Sequence, residues 1–358
     1  MRLKHLELVN FRNYERAGFD LQELGNLIIA PNGAGKTNLL EAMAYCGMGR
    51  SIRFHRDEEL CKEDKDHFRV KGDFCQDDGL ELSIQLAWQE GRKLAKINDI
   101  PVRQLSKLYE CVKIIYCAPD DMNLVGGSPR YRRQFFDLAI SQIYPPYISI
   151  LRNYMHIVEQ RNNLLKKDYQ PLEKNSWDRK FIQAMLEVLE YRRKFLNLLN
   201  REFAGKYLAI SEQVNLIRLD YVCHMAGAYP EQEEDILACL AELEPRERKY
   251  QRSLIGTHLD DYEFKLDGRN LKTFGSQGQK RITVLVLKLI QAALTERITG
   301  IKPIMLFDDV FAELDKLHSK KIRDFVDYRY QVFVASPRED VSREWGELTR
   351  LNILDRQA

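Results

Sequence analysis

No two cysteines in this chain have the Cys-x-x-Cys spacing, and no Cys/His ligand grouping surrounds Cys46, Cys61, Cys75, Cys111, Cys117, Cys223 or Cys239. A structural zinc site and a disulfide framework are therefore excluded. The thiols read as reduced and mostly buried, as in a cytoplasmic protein. Long apolar runs are also missing: the most apolar window, Ile282 to Leu294, is broken by Lys288 and Gln291. Met1-Arg2-Leu3-Lys4-His5 has no apolar stretch behind its basic residues, so neither a membrane span nor a secretion signal is expected. There is no internal repeat or low-complexity tract. Hydrophobic residues at 44% with charged residues at 30% exclude disorder and collagen-like sequence. The 358 residues suggest two or three domains at roughly 150 residues each.

Glycine is absent from Pro129 to Ala204, and there the apolar residues recur at helical spacing, as in Tyr147, Ile150, Leu151, Tyr154 and Phe181, Met185, Leu186, Leu189. Pro145-Pro146 would open one long helix, and Lys167 to Ser176, containing Pro171, would form a hairpin tip. Two antiparallel helices of about 30 residues would make an arm about 45 Å long. Net charge is only +2, but Ser128 to Lys206 carries 15 Lys and Arg against 8 Asp and Glu, while Tyr207 to Tyr250 carries 4 against 9. Such asymmetry suggests a face that meets a polyanion.

Elsewhere the pattern is α/β. Strands are expected at Leu3 to Val9, Leu27 to Ala30, Leu80 to Trp88, Lys96 to Ile100, Val112 to Tyr116, Val214 to Val222, Tyr262 to Leu266, Ile304 to Phe307 and Gln331 to Ala335. Helices are expected from Lys36, from Gln277 to about Thr299, and around Lys316 to Val326.

Ala30-Pro31-Asn32-Gly33-Ala34-Gly35-Lys36-Thr37, between a strand and a helix, matches a phosphate-binding loop except that Ala30 replaces its first glycine. Gly33 and Gly35 let successive N–H groups turn toward a β-phosphate. Lys36 reaches the β- and γ-phosphates, and Thr37 offers a hydroxyl to Mg²⁺. Ala30 is tolerated if its φ is negative. The apolar strand Ile304-Met305-Leu306-Phe307 delivers Asp308-Asp309 at its C-terminal end, where open α/β sheets place ligand chemistry. Asp308 would hold the metal shell and Asp309 would act as general base toward water. Both motifs must meet at one metal although far apart in sequence. One ATPase domain is thus built from both chain ends, with residues 1–125 and 251–358 as a head and 126–250 as an inserted helical lobe. A third signal, Phe274-Gly275-Ser276-Gln277-Gly278-Gln279, precedes a helix. It reads equally as an anion site at that helix's N-terminus or as simple capping by Ser276.

Taken together, these motifs resemble the ABC ATPase heads of the chromosome-maintenance (SMC) proteins and their repair relatives, and more closely the bacterial RecF family. The matching stretches are Asn10-Phe11-Arg12-Asn13-Tyr14, Asn38-Leu39-Leu40-Glu41-Ala42, Gly127-Ser128-Pro129 with Arg132-Arg133, Gln160 to Lys166, Ser276 to Gln279, and Asp308 to Asp315. Departures are Ala30, the only partly matching Gly256-Thr257-His258-Leu259-Asp260-Asp261, and Ala335-Ser336 in place of a Thr-Thr pair. The resemblance implies an α/β, ABC-type P-loop ATPase head with an inserted helical arm, and ATP and Mg²⁺ as cofactors. Arg12, Asn13, Asn32, Gly33, Ala34, Gly35, Lys36, Thr37, Asn38, Gly278 and Gln279 would line the nucleotide, and Ser276 would reach the γ-phosphate of ATP held by a second subunit. Ala118-Pro119-Asp120-Asp121 would form a metal-side loop. Arg130, Arg132, Arg133, Lys166 and Lys167 would grip DNA phosphates.

The activity so implied is a weak, DNA-stimulated ATPase. The protein would be a clamp that homodimerises with ATP on double-stranded DNA and single-strand/double-strand junctions. It would serve recombinational repair of gapped DNA and stalled replication, with mediators of the RecR and RecO type and a RecA recombinase. It would be cytoplasmic, with no membrane partner. The alternative is a nucleotide-gated structural scaffold with negligible hydrolysis. A nuclease is disfavoured because only 43 residues follow Asp315, and a transporter ATPase would need a membrane partner.

Overall fold

Period-two burial decides the first strand, Arg2–Phe11, in which Leu6 and Leu8 point inward between half-exposed neighbours. An irregularity between Leu3 and His5 shifts the phase so that Leu3 is buried as well. The computed structural model describes all residues except 54, 225–228, 230, 231, 327, 328 and 355–358, and the side chains of 312 and 313 also lie outside the description. The chain divides into two units, residues 1–121 with 285–358, and residues 122–284.

In the first unit, Arg2–Phe11 lies between Tyr14–Asp20 and His67–Cys75. The sheet continues through Glu81–Gln89, Arg92–Ile97 and Ile100–Pro101, all antiparallel. Neither Tyr14–Asp20 nor His67–Cys75 is among the expected strands. The latter does alternate, with Phe68, Val70, Gly72 and Phe74 buried. A second sheet is wholly parallel, in the order Thr349–Arg350, Gly25–Ile29, Val332–Ser336, Ile304–Asp308, Ile114–Cys117. Gly25 is required there: its φ is +108°, and a Cβ would lie 1.7 Å from the Val332 carbonyl oxygen. The helix Lys36–Met48 packs against strands of both sheets and is buried on nearly every face, not only along the Leu39, Leu40, Met43, Ala44 stripe. Parallel strands buried on both faces read as continuous apolar runs, which is why Ile304 to Phe307 was legible.

In the second unit, Ser128 caps the helix Pro129–Ile143, its hydroxyl accepting from the Tyr131 N–H. The two long helices are unequal: Tyr147–Leu164 has 18 residues and Pro171–Ser211 has 41, about 60 Å of helix. The break at 165–170 ends where Pro171 takes the first helical turn. Arg161 pairs with Asp178, and Tyr147 meets Arg192, so the helices run antiparallel. The unit extends past the boundary expected at 250. The strand Asp261–Leu266 pairs in register with Ile217–Val222, and Asp261 binds Arg132, so residues 251–284 pack with the inserted lobe rather than with the head. The cut at Val284 falls inside the helix Gln277–Thr299.

Arg192 is wholly enclosed. It donates to Asp137 Oδ1 and Oδ2 at 2.9 and 3.0 Å and to the Thr257 carbonyl at 2.6 Å, while the Tyr147 hydroxyl donates to Asp137 at 2.6 Å. A buried guanidinium that loses its carboxylate keeps its desolvation penalty without compensation. Asp137→Ala is therefore expected to destabilise the protein by about 3–5 kcal/mol in a urea titration. Adding Arg192→Met should recover part of that loss, and two additive losses would contradict the argument.

Candidate nucleotide and nucleic-acid site

Gly33 and Gly35 carry φ of 83° and 92°, which glycine alone adopts without strain, whereas Ala30 is not among the positive-φ residues. Ala30 therefore meets the condition under which it replaces the loop's first glycine. Gly35 also faces Asn13, whose Nδ2 would lie 2.5 Å from an added Cβ. The Tyr14 hydroxyl donates to the Gly35 carbonyl at 3.1 Å, and Asn38 Nδ2 donates to Asn13 Oδ1 at 2.7 Å. Asn13 and Asn38 thus brace the loop from the side. The ammonium of Lys36 is buried and donates to the carbonyls of Ala30 and Pro31 at 2.9 and 3.1 Å. Asn32 and Gly33 are exposed at the rim, with Ala34 half-buried.

Thr37 Oγ1 donates to Asp308 Oδ1 at 3.1 Å. The register explains this: Gly25–Ile29 and Ile304–Asp308 flank Val332–Ser336 and all three point the same way, so the loop after one and the acids ending the other share one sheet edge. The Asp309 N–H is tied to the Ala335 carbonyl at 2.9 Å and its φ is +53°, yet its Oδ1 is buried without a hydrogen-bond partner. Burial pushes both carboxyls above the usual range, and Lys36 pulls against it at each.

Arg12 sits at φ +54° with its Nε 3.0 Å from Glu41 Oε2 and Nη1 2.8 Å from the Glu59 carbonyl. Glu41 is fully buried and accepts from the Ser51 hydroxyl at 2.5 Å. The arginine is thus committed to an internal ion pair. In the loop read as metal-side, Asp120 is exposed, while Asp121 is buried between the Ala118 N–H at 2.8 Å and Lys288 Nζ at 2.8 Å. That loop is held by its own salt bridge. No group of three His, Cys, Asp or Glu among the described residues could hold a metal.

Three partners escaped the sequence reading. Tyr116 donates to Asp308 Oδ2 at 2.7 Å, Lys288 donates to the Tyr116 carbonyl at 2.7 Å, and Ser51 satisfies Glu41. No spacing announces them, because strand register and helix packing make the pairs.

In the second unit, Ser276 and Gln279 form a reciprocal capping box: Ser276 N–H donates to Gln279 Oε1 at 2.9 Å and Gln279 N–H to Ser276 Oγ at 3.2 Å. Ser276 and Gly278 are exposed and Gln279 half-buried. The basic cluster does not stand together on the surface. Arg132 is buried, with Nε and Nη2 on Asp261 at 2.7 and 2.8 Å, which corrects its assignment as a phosphate contact. Arg133 is half-buried on the Asp260 carbonyl at 2.6 Å. Arg130, Lys166 and Lys167 are exposed.

Residues 2–357 match the family described as RecF/RecN/SMC N-terminal domain. The chain is 34% identical to the DNA replication and repair protein RecF of Desulfitobacterium hafniense over 91% of its length and 90% of that protein's. Against RecF of Lysinibacillus sphaericus it is 31% identical over 98% and 97%. The chain belongs to the RecF family. A solved RecF–ATP structure, described as a recombination mediator protein in the RecFOR pathway, superposes with a TM-score of 0.87 at 28% identity over 94% of this chain and 92% of that one. The Smc head bound to the C-winged helix domain of ScpA shares the fold at a TM-score of 0.54 and 16% identity over 96% and 92%. This RecF-family chain is thus an SMC-like ABC ATPase fold of the DNA replication and repair class, and no described helix is long and apolar enough to cross a membrane.

Arg132 and Arg130, two positions apart, should separate experimentally. Arg132→Ala strips a buried, bidentate partner from Asp261 and is expected to cost about 1–3 kcal/mol in chemical denaturation. Arg130→Ala should stay within about 0.5 kcal/mol of the parent. Equal losses would show that Arg130 is structural too.

Proposed function

We propose that the protein binds Mg²⁺·ATP at Gly33, Gly35, Lys36, Thr37 and Asp308, hydrolyses it slowly, and uses the ATP-bound state to dimerise on DNA in recombinational repair. The observation that carries this reading is the meeting of Thr37 with Asp308 beside the buried, unpartnered Asp309 Oδ1. The oxygen donors suit a hard cation, since Thr37 Oγ1 and the Asp308 carboxylate are already adjacent at 3.1 Å. When bound, Mg²⁺ would neutralise charge developing on the phosphates. Lys36 would exchange its two loop carbonyls for phosphate oxygens, and the N–H groups at the start of Lys36–Met48 would face the same anion. Asp309 would accept the proton of the attacking water, and burial, which raises the proton affinity of its carboxylate, suits a base. Relatives that are DNA repair proteins, and a neighbour solved with ATP, support the reading.

In that reading the DNA surface uses Arg130, Lys166 and Lys167, with double-stranded DNA and strand junctions as ligands and RecR/RecO-type mediators and RecA as partners. Location would be cytoplasmic.

Lys36→Met should abolish ATP binding, because no other cation of the loop replaces its phosphate contact. Asp309→Asn should bind ATP and remain dimeric while turnover falls. Equal hydrolysis by the parent and Asp309→Asn would remove the base assignment.

Mixing tests the cross-subunit role of Ser276. Lys36→Met and Ser276→Arg proteins are each expected to be inactive. If Ser276 serves a partner's ATP, each mixed dimer holds one intact site, so about one quarter of parent activity should return with random pairing. No recovery where light scattering shows mixed dimers would reject independent sites completed in trans.

A further inference from the structure

Tyr116 stands on the strand Ile114–Cys117, with Leu306 opposite Tyr116 and Phe307 opposite Cys117 in parallel register. Asp308, two positions beyond Leu306, therefore lies on the same face as the tyrosine. The phenol donates to Asp308 Oδ2 at 2.7 Å while Thr37 holds Oδ1 at 3.1 Å, so each carboxylate oxygen has its own donor. At the other end of the residue, the Tyr116 carbonyl accepts from Lys288 Nζ, whose ammonium is locked on Asp121 at 2.8 Å. The tyrosine is fixed at both backbone and tip. Its neighbours Ile114 and Ile115 are buried and apolar, while Tyr116 itself is half-buried. A hydroxyl brought to such a place costs free energy unless it is bonded, and Asp308 supplies the bond.

We propose that Tyr116 is a positioning residue of the nucleotide–metal site, its hydroxyl holding the Asp308 carboxylate in the rotamer that faces Thr37. The proposal rests on the Mg²⁺·ATP reading above. The terminal torsion of an aspartate is a broad, shallow rotor. With Thr37 alone as donor, the carboxylate pivots about one bond and must be ordered when the cation arrives. Removing such an outer partner typically weakens metal affinity about tenfold or more.

The test uses the full chain and a fluorescent ATP analogue, reading the Mg²⁺ concentration that half-saturates analogue binding. Asp308→Asn serves as the reference. Tyr116→Phe, which deletes only the hydroxyl, should raise the Mg²⁺ requirement about tenfold. Analogue affinity in EDTA should be unchanged, with the fold retained and the melting temperature lowered by only a few degrees. Tyr116→Leu, which also removes the ring, should raise it by the same factor. If Asp308→Asn leaves the requirement unchanged, the metal reading itself fails and the proposal with it. If Asp308→Asn raises it and Tyr116→Phe does not, only the role of Tyr116 is overturned. A rise in Tyr116→Leu alone would assign the effect to ring packing. Loss of the fold in Tyr116→Phe would make the hydroxyl structural, and either result would also overturn the proposal.

Discussion

The hydrogen bond between Thr37 and Asp308 joins residues 271 positions apart, and nothing local to either could bring them together. What does so is the parallel register of three strands, with Val332–Ser336 hydrogen-bonded to Gly25–Ile29 on one side and to Ile304–Asp308 on the other. That register depends on a close approach at Gly25, where any side chain would collide with the Val332 carbonyl. The site is thus a consequence of sheet closure, since two chain ends must fold onto each other before either motif has a partner. The inserted segment has to leave and rejoin without disturbing that closure. It does so as a unit with its own sheet and its own buried polar clusters.

The placement of the glycine loop and of the acid pair after Ile304 to Phe307 was largely legible, for physical reasons. A phosphate loop needs positive φ at fixed positions, and Gly33 and Gly35 supply it; a central parallel strand needs unbroken apolar residues, and Ile304 to Phe307 supplies those. Charges were harder to read. The excess of Lys and Arg between Ser128 and Lys206 looked like a polyanion-binding face, but several of those cations are spent inside the unit. Arg161 is sandwiched by Asp178 and Glu247 at 2.8 and 2.6 Å, Lys174 binds Asp178 and Glu244, and Arg192 binds Asp137. Two of these acids, Glu244 and Glu247, come from the stretch between Tyr207 and Tyr250 that the sequence shows as acidic. The local imbalance is therefore partly cancelled in three dimensions. A count along the chain cannot distinguish a solvated arginine from one facing a carboxylate 86 residues away.

These internal ions also explain where the lobe boundary falls. Asp260 accepts from the Tyr221 hydroxyl at 2.7 Å, the Tyr229 hydroxyl at 2.8 Å and the His224 N–H at 2.8 Å, while its carbonyl takes Arg133. Asp261 takes Arg132. A polar group so enclosed contributes only if every partner is present, and each partner here belongs to residues 122–284. The half-buried His258 imidazole is hydrogen-bonded to the Tyr154 hydroxyl, and desolvation with three nearby arginines lowers its pKa to about 4, so it stays neutral and adds no further charge. Asp260 and Asp261 thus pack with residues 122–284, the unit to which all their partners belong.

The Ser276–Gln279 box bears on how a helix cap and an anion site coexist. Capping and phosphate recognition appeared as competing accounts of Ser276, but they draw on different atoms. In the box the hydroxyl oxygen accepts from the Gln279 N–H through a lone pair, which leaves its proton to donate. The Ser276 N–H is occupied by the Gln279 side-chain oxygen, a contact at the exposed surface that water or an anion can replace at little cost. An incoming anion could thus take the N–H from Gln279 and the hydroxyl proton directly, with the cap's accepting bond intact. The helix start that the box stabilises has the geometry an anion would need, so capping by Ser276 and the proposed anion contact are compatible rather than exclusive.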